Sequence, residues 1–336
     1  MAPINNTRVV RAKYIAKGDS FTNENFKTET VPVDTNLNDG EILLRNLYLG
    51  LDPYQGAQAS TLNKVVAGFG VSEVVVSKNP SFSVSSIVTG LGIGWEQYTR
   101  IANPSIMFVI PEARNTKVPL TEYLNALGAN GLTAFAAVDT LVKFKKDQVV
   151  FVTSAAGPVG AFIAILAKRA GAFVIGSAGS DTKVNYLVQE LGLDAAINYK
   201  TQDTAAQLST LAPDGIDIYF DLVGGEVLDI AFEKLKVKGQ VVAIGNIAVV
   251  NSKTPYSNKN LHLIITKALT INGFTAFHHM HRFPDLWREF EPLIARGEIK
   301  SQNHTLIEGV KHAGQAFGDY MDGKYHGKVI VQVATL

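Results

Sequence analysis

A β-branched run, Val149 to Ser154, leads straight into Ala155-Ala156-Gly157-Pro158-Val159-Gly160, and an apolar, helix-forming stretch follows. This is the G-x-G-x-x-G pattern with alanine in the first place. Such a turn can hold a pyrophosphate. Gly157 lets the backbone approach the phosphates, and Gly160 lets the helix pack closely on the strand. The helix N-terminus offers unpaired N–H groups and a partial positive charge. Pro158 suits a first helical turn, where its missing N–H costs nothing. Glycines also recur at Gly68, Gly70, Gly90, Gly92 and Gly94. There they open no helix and sit among short β-rich runs, so bulges and close packing account for them. The match at 155–160 is the stronger one because strand, turn and helix come in the required order.

A dinucleotide with a free ribose 2′-hydroxyl needs a carboxylate about twenty residues beyond the glycines, at the end of the second strand. The corresponding stretch, Val174 to Ser180, contains no acid. Asp181 follows Ser180 and reads as helix-start chemistry. Lys183 comes next, and Ser177 and Ser180 offer hydroxyls among small residues. Room, hydroxyls and a cation are what a 2′-phosphate requires. Tyr199, in the turn after the third strand, adds a phenol donor. The pattern points to NADP(H) over NAD(H).

The elements that must position these residues alternate. Strand-like runs at 149–154, 173–179, 195–199, 216–224 and 239–245 are separated by helical periods at 157–171, 181–192, 204–212 and 225–236. This is the signature of a doubly wound parallel sheet, a Rossmann fold. Residues 120–142 read as one helix, 267–277 as a further strand at the sheet edge, and 284–297 as a further helix. The first 120 residues instead show short alternating runs broken by Gly, Pro and Asn, which suits a barrel-like β domain. The closing run, His326 to Ala334, is again an alternating strand and fits that β domain. Both termini are therefore expected to build one domain, residues 1–123 and 303–336, with the α/β domain, 124–302, inserted between them.

The chain has 336 residues and a formal net charge of +1. That balance argues against nucleic-acid or membrane-surface binding. The absence of cysteine rules out disulfides, a thiol nucleophile and Cys-ligated metal centres. The N-terminal residues lack the apolar core of a signal peptide, and the apolar run 149–167 is interrupted by Gly157 and Pro158. A cytoplasmic location is the expectation.

With these residues in view, the chain resembles the zinc-free medium-chain dehydrogenases/reductases, in the branch of leukotriene/prostaglandin reductases and alkenal double-bond reductases. The resemblance runs through residues 46–56, 90–98, 127–135, 154–160, 176–184, 192–200, 215–225, 271–277 and 327–333. It implies a GroES-like β-barrel domain around the Rossmann domain. It also implies NADPH-dependent reduction of the carbon–carbon double bond of α,β-unsaturated aldehydes and ketones. By matching motif positions, Gly157, Val159 and Gly160 would cradle the pyrophosphate, and Lys183 and Tyr199 would hold the 2′-phosphate. Gly245 with its neighbour Asn246, and Phe274, Thr275 and Ala276, would line the nicotinamide. Three positions depart from the family: Leu222 replaces an Asn, Val250 a Tyr, and Tyr325 or His326 an Asn before the terminal Gly-Lys. They bear on the nicotinamide side and the proton donor.

The reaction sends hydride to the β-carbon and collects negative charge on the carbonyl oxygen as an enolate; the α-carbon then takes a proton. It needs no metal. Tyr54 is the candidate enolate donor, since a neutral phenol can donate in an apolar pocket; the alternative is a tyrosine whose hydroxyl bonds the backbone. Asp52 reads as a turn residue, and Trp95 and Tyr98 as core aromatics. His278, His279 and His281 lack the spacing to face one way in regular structure; they read as solvated loop histidines, with a substrate-entry loop and a metal site as the alternatives. Two alternatives to double-bond reduction stay open: a quinone reductase on the same fold, and an NADPH-binding protein with little turnover. The edge strand with exposed backbone makes a homodimer the expected assembly.

Overall fold

The computed structural model describes residues 4–16, 18–57, 61–111, 117–250, 252–299 and 303–336. Of Ala57, Val249 and Val250 the backbone alone is described, so the Val250 side chain lies outside the described residues. The chain divides into two units: Met1–Ala129 with Asn303–Leu336, and Asn130–Gln302.

In the terminal unit, strand β1 (Asn5–Arg11) pairs antiparallel with β2 (Phe26–Pro32). Strands β3 (Ile42–Leu51), β4 (Ala67–Ser77), β5 (Ile87–Gly94), β6 (Tyr98–Ile101) and β7 (Met107–Val109) follow. The central unit carries β8 (Val149–Val152), β9 (Phe173–Ala178), β10 (Ala195–Asn198), β11 (Ile216–Asp221), β12 (Leu235–Ala243) and β13 (Thr270–Gly273). The chain then returns to the terminal unit with β14 (His304–Glu308) and β15 (Lys328–Gln332).

The central sheet has the order β10-β9-β8-β11-β12-β13, and all its pairs are parallel. Read in chain order this is 3-2-1-4-5-6, the doubly wound arrangement, with its switch point between β8 and β11. Phe151, Val152, Ile175, Ile197, Tyr219 and Phe220 are buried, as expected of strands covered on both faces. In the terminal unit the order is β14-β15-β3-β4-β5-β7, with β6 also paired to β3. Its core gathers Trp95, Phe26 and Phe317, whose rings meet at 5.5–6.2 Å between centroids. Trp95 is thus a core residue.

The barrel glycines serve close packing. A Cβ on Gly70 would stand 2.7 Å from Ile93 Cγ2, and one on Gly90 2.4 Å from the Ile106 carbonyl oxygen. The β4–β5 register shifts at Gly68/Phe69.

Several elements differ from the sequence reading. Residues 120–142 do not form one helix: a 3₁₀ turn, Leu120–Leu124, precedes a helix at Ala129–Leu141. At Gly128 the chain folds back so tightly that a Cβ would lie 2.7 Å from the Tyr123 carbonyl oxygen. The 3₁₀ turn lies in the terminal unit, whose first segment runs to Ala129. The strand read over 267–277 is confined to Thr270–Gly273, and the histidine run lies in a 3₁₀ segment, Ala276–Arg282, that leads into the helix Phe283–Ala295. Strands β2 and β14 and the helix Ala313–Met321 carried too weak a periodicity to be read.

Candidate functional site

The residues singled out for the nucleotide stand at the carboxyl ends of successive parallel strands. Gly157, Pro158, Val159 and Gly160 follow β8, Ser177 is the last residue but one of β9 with Lys183 beyond its end, and Tyr199 follows β10. Gly245 and Asn246 follow β12, and Phe274, Thr275 and Ala276 follow β13. In open α/β sheets this edge, at the switch point, is where ligands bind.

The turn after β8 shows why its glycines are required. Ser154 has a left-handed φ of 50°, and its carbonyl oxygen accepts from the Gly157 N–H at 2.8 Å. A Cβ on Gly160 would come within 2.5 Å of that oxygen and 2.9 Å of Ala155 Cα. The backbone cannot yield there, so helix and strand pack as closely as they do because Gly160 has no side chain. Gly157 is the N-cap of the helix Pro158–Arg169, with Pro158 at its start, and no side chain caps the helix. Its first N–H groups therefore lack a side-chain acceptor, an arrangement that fits a pyrophosphate.

At the end of β9, Ser180 caps the short helix Asp181–Asn185, its Oγ accepting from the Lys183 N–H at 3.3 Å. The Asp181 carboxylate accepts from Asn198 Nδ2 at 2.6 Å. Asp181 is therefore engaged from below and does not take the place of a ribose-binding acid. Tyr199 lies across Gly179: a Cβ there would be 2.8 Å from the phenol oxygen and 3.3 Å from Lys200 Cε. Lys183 is held below the ordinary lysine range, first by burial and then by the charge of Lys200. A turn that crowds cations and keeps its one acid busy suits a phosphate dianion. Ser177 is buried within β9, with its carbonyl oxygen accepting from the Ala155 N–H at 3.0 Å, so it ties β9 to the glycine turn. Lys200 was not singled out from sequence. The signal was its adjacency to Tyr199.

After β11, Asp221 Oδ1 accepts from Tyr219 Oη at 2.8 Å and from the N–H groups of Val223 and Gly224 at 3.1 and 2.8 Å. Burial pushes this carboxyl up. The half-buried Leu222 donates its N–H to Thr153 Oγ1 at 3.0 Å, and a Cβ on Gly245 would meet the Leu222 carbonyl oxygen at 2.5 Å. The backbone geometry of this loop thus rests on Asp221 and Thr153 rather than on the residue at 222. Phe274 donates its N–H to the Ala243 carbonyl at 2.9 Å and stacks on His279 with centroids 4.8 Å apart. Burial, then Arg282 and the other two histidines, lowers the His279 pKa.

The terminal unit holds a second set of polar groups. Tyr54 opens a one-turn helix, Tyr54–Ala57, directly after β3. The Phe69 N–H donates to its phenol oxygen at 3.2 Å, which orients the ring. Burial, and then the charge of Asp52, raise its pKa well above the usual phenol value. Asp52 is more than a turn residue: its Oδ1 pairs with Lys328 Nζ at 2.5 Å, and both side chains are buried. The same ammonium donates to the Leu51 carbonyl at 3.1 Å. Gln55 staples the turn, accepting from the Asp52 N–H at 2.9 Å and donating to the Gly50 carbonyl at 3.2 Å. Tyr320 is partly buried, and desolvation, then the charge of Asp52, raises its pKa. Tyr325 is hydrogen-bonded to Asp319. The buried pair was not legible in sequence, because a lysine opening an alternating strand reads as a surface residue.

The chain is similar to known oxidoreductases along most of its length. Residues 158–292 match the family described as zinc-binding dehydrogenase, and residues 16–109 the N-terminal domain of oxidoreductase. The chain is 32% identical to an NADP(+)-dependent 2-alkenal reductase of Nicotiana tabacum, over 98% of each chain. It is 34% identical to the (+)-pulegone reductase of Mentha piperita, over 88% of this chain and 89% of that one. The crystal structure of CurA from Vibrio vulnificus in complex with NADPH superposes with a TM-score of 0.85 at 27% identity, covering 98% of this chain and 100% of that one.

Proposed function

The chain belongs to the medium-chain dehydrogenase/reductase family, in the branch of leukotriene/prostaglandin reductases and alkenal double-bond reductases, and from that premise we propose how its residues reduce the carbon–carbon double bond of α,β-unsaturated aldehydes and ketones. It is an NADP-dependent oxidoreductase. NADPH, when bound, supplies the hydride that the β-carbon receives. Gly157, Pro158, Val159 and Gly160 hold the pyrophosphate on the uncapped helix N-terminus. Lys183 and Tyr199 hold the 2′-phosphate, with Ser177 supporting the turn from within β9. Gly245, Asn246, Phe274, Thr275 and Ala276 line the nicotinamide. Tyr54 donates a hydrogen bond to the substrate carbonyl oxygen as negative charge collects there, and its raised pKa keeps the phenol protonated for that task. The α-carbon then takes its proton from solvent or a neighbouring donor.

One observation carries the reading: an uncapped helix N-terminus at Gly157 lies one strand away from a turn that crowds cations and carries no free acid. The test mixes protein, NADPH and a trans-2-alkenal or enone, and follows absorbance of the reduced nicotinamide. The expected product is the saturated aldehyde or ketone. Consumption with quinones alone, or NADPH binding without consumption, overturns the reading.

No helix among the described residues is long and apolar enough to cross a membrane. We further infer a homodimer, formed where β13 ends the central sheet and leaves Ile271 41% exposed. Light scattering after size exclusion tests it, and a monomer at micromolar concentration rejects it.

A further inference from the structure

We propose that Lys200, together with Lys183, forms a two-cation clamp on the 2′-phosphate and is a second determinant of the preference for NADPH over NADH. This rests on the NADPH reading above and goes beyond it by adding a residue from a different strand.

The placement comes from the sheet. Strands β9 and β10 run parallel with Asn198 opposite Ala178, so the turns that follow them lie side by side. The Tyr199 N–H donates to the Ala178 carbonyl at 3.2 Å. Gly179 has no side chain, and the space a Cβ would claim is bordered by the Tyr199 phenol and the Lys200 stem. Any larger residue at 179 would displace both. Asn198, buried beneath, fixes the second turn by accepting from the Lys200 N–H at 3.2 Å while donating to Asp181 at 2.6 Å. The Asp181 carboxylate is thereby directed at Asn198.

Among the described residues, Lys200 makes no ion pair. Its ammonium lies near enough to Lys183 for the two charges to oppose each other, and it contributes to the lowered Lys183 pKa. Like charges held together without an intervening acid are unfavourable in isolation. A phosphate monoester, with a charge of about −1.5 to −2 and a second pKa of about 6, reverses the sign of that interaction. A nucleotide lacking the phosphate leaves that repulsion as it is in the free protein. The clamp therefore favours NADPH while leaving the affinity for NADH nearly unchanged, and the preference is the difference between the two.

The test compares wild type with K183A, K200A, K200R and the double variant K183A/K200A, using steady-state constants for NADPH and NADH and direct titration with 2′,5′-ADP and 5′-AMP. For K200A we expect KM for NADPH and Kd for 2′,5′-ADP to rise about tenfold, as for the loss of one charge-assisted contact. The constants for NADH and 5′-AMP should move less than twofold, and K200R should restore most of the preference. Phosphorus NMR of bound NADP+ gives a readout a structural role would not move. The 2′-phosphate should titrate below its free value in wild type and closer to it in K200A. If K183A is selective for NADPH but K200A changes neither coenzyme, or both equally, Lys200 is a surface lysine and the clamp is wrong while the NADPH reading stands. If wild type itself binds 5′-AMP as tightly as 2′,5′-ADP, the NADPH reading fails and the clamp with it.

Discussion

The glycine turn of the central unit and the buried charges of the terminal unit are built in opposite ways. The turn is made of consecutive residues, 153–160, and its shape depends on backbone and on the absence of side chains. The Asp52–Lys328 pair is made of side chains 276 residues apart in the chain, brought together because β15 lies antiparallel to β3 with Val329 opposite Leu51. A site made of backbone tolerates many substitutions and fails where a Cβ has nowhere to go. A site made of buried charges fails when either partner is removed. Within the terminal unit a second buried cation sharpens the contrast. Arg11 is 1% exposed, lies over the rings of Phe26 and Phe21 at 4.6 and 5.3 Å, and donates one long bond, 3.4 Å, to the Gln55 carbonyl. Among the described residues its Nε and Nη1 have no hydrogen-bond partner. Burial alone lowers its pKa to about 10.

The largest effect should come from breaking the pair. Lys328→Ala leaves Asp52 charged and buried, at a cost of about 3–5 kcal/mol, read from urea unfolding. The double substitution Asp52→Leu/Lys328→Met should recover most of that stability; a single variant within about 1 kcal/mol of wild type would show that the pair does not behave as a buried one. Next comes Gly160→Val, whose Cβ meets backbone. We expect about 1–3 kcal/mol of overpacking cost and a loss of NADPH affinity greater than for Gly157→Ala, whose Cβ would stand 3.1 Å from Ser154. Equal effects of the two substitutions would undo the packing argument.

Tyr54→Phe should lower kcat by about 10–100-fold, the range of a hydrogen-bond donor to developing charge, with little change in the NADPH constant. Because burial and Asp52 raise the Tyr54 pKa, the protonated donor persists as pH rises. The rate should therefore show no alkaline decline below about pH 10 from this group, and a decline centred lower that disappears in Tyr54→Phe would contradict the assignment. The smallest effect is Arg11→Met. No acid is left stranded, and the lost ring contacts are offset by removal of a buried cation with unmatched donors, so stability should change by less than about 1 kcal/mol. A loss as large as that of Lys328→Ala would mean that Arg11 does more than fill space between the two phenylalanines.

The parallel sheet was readable because each of its strands is a short apolar run bounded by a helix of its own, and that alternation is local. Breaks in periodicity were not. A 3₁₀ turn and a helix in succession at 120–141 look like one helix when the fold-back at Gly128 is invisible, and β2 alternates exposed and half-buried residues too weakly to stand out. On the proposed nucleotide side, Lys183 and Tyr199 can each be read as candidates from a single strand and its turn. Lys200 emerged when two turns were seen side by side.

Consecutive residues were enough to specify the glycine turn, the coenzyme class and the parallel, doubly wound character of the central sheet, since these depend on backbone sterics, helix termini and hydrophobic period, all of which act over a few residues. Which acid meets which cation was settled in three dimensions. Burying Asp52 against Lys328, and stacking Arg11 on two rings, depends on strand register between distant segments, and the strength of each contact comes from a low-dielectric interior that does not exist until the chain has folded.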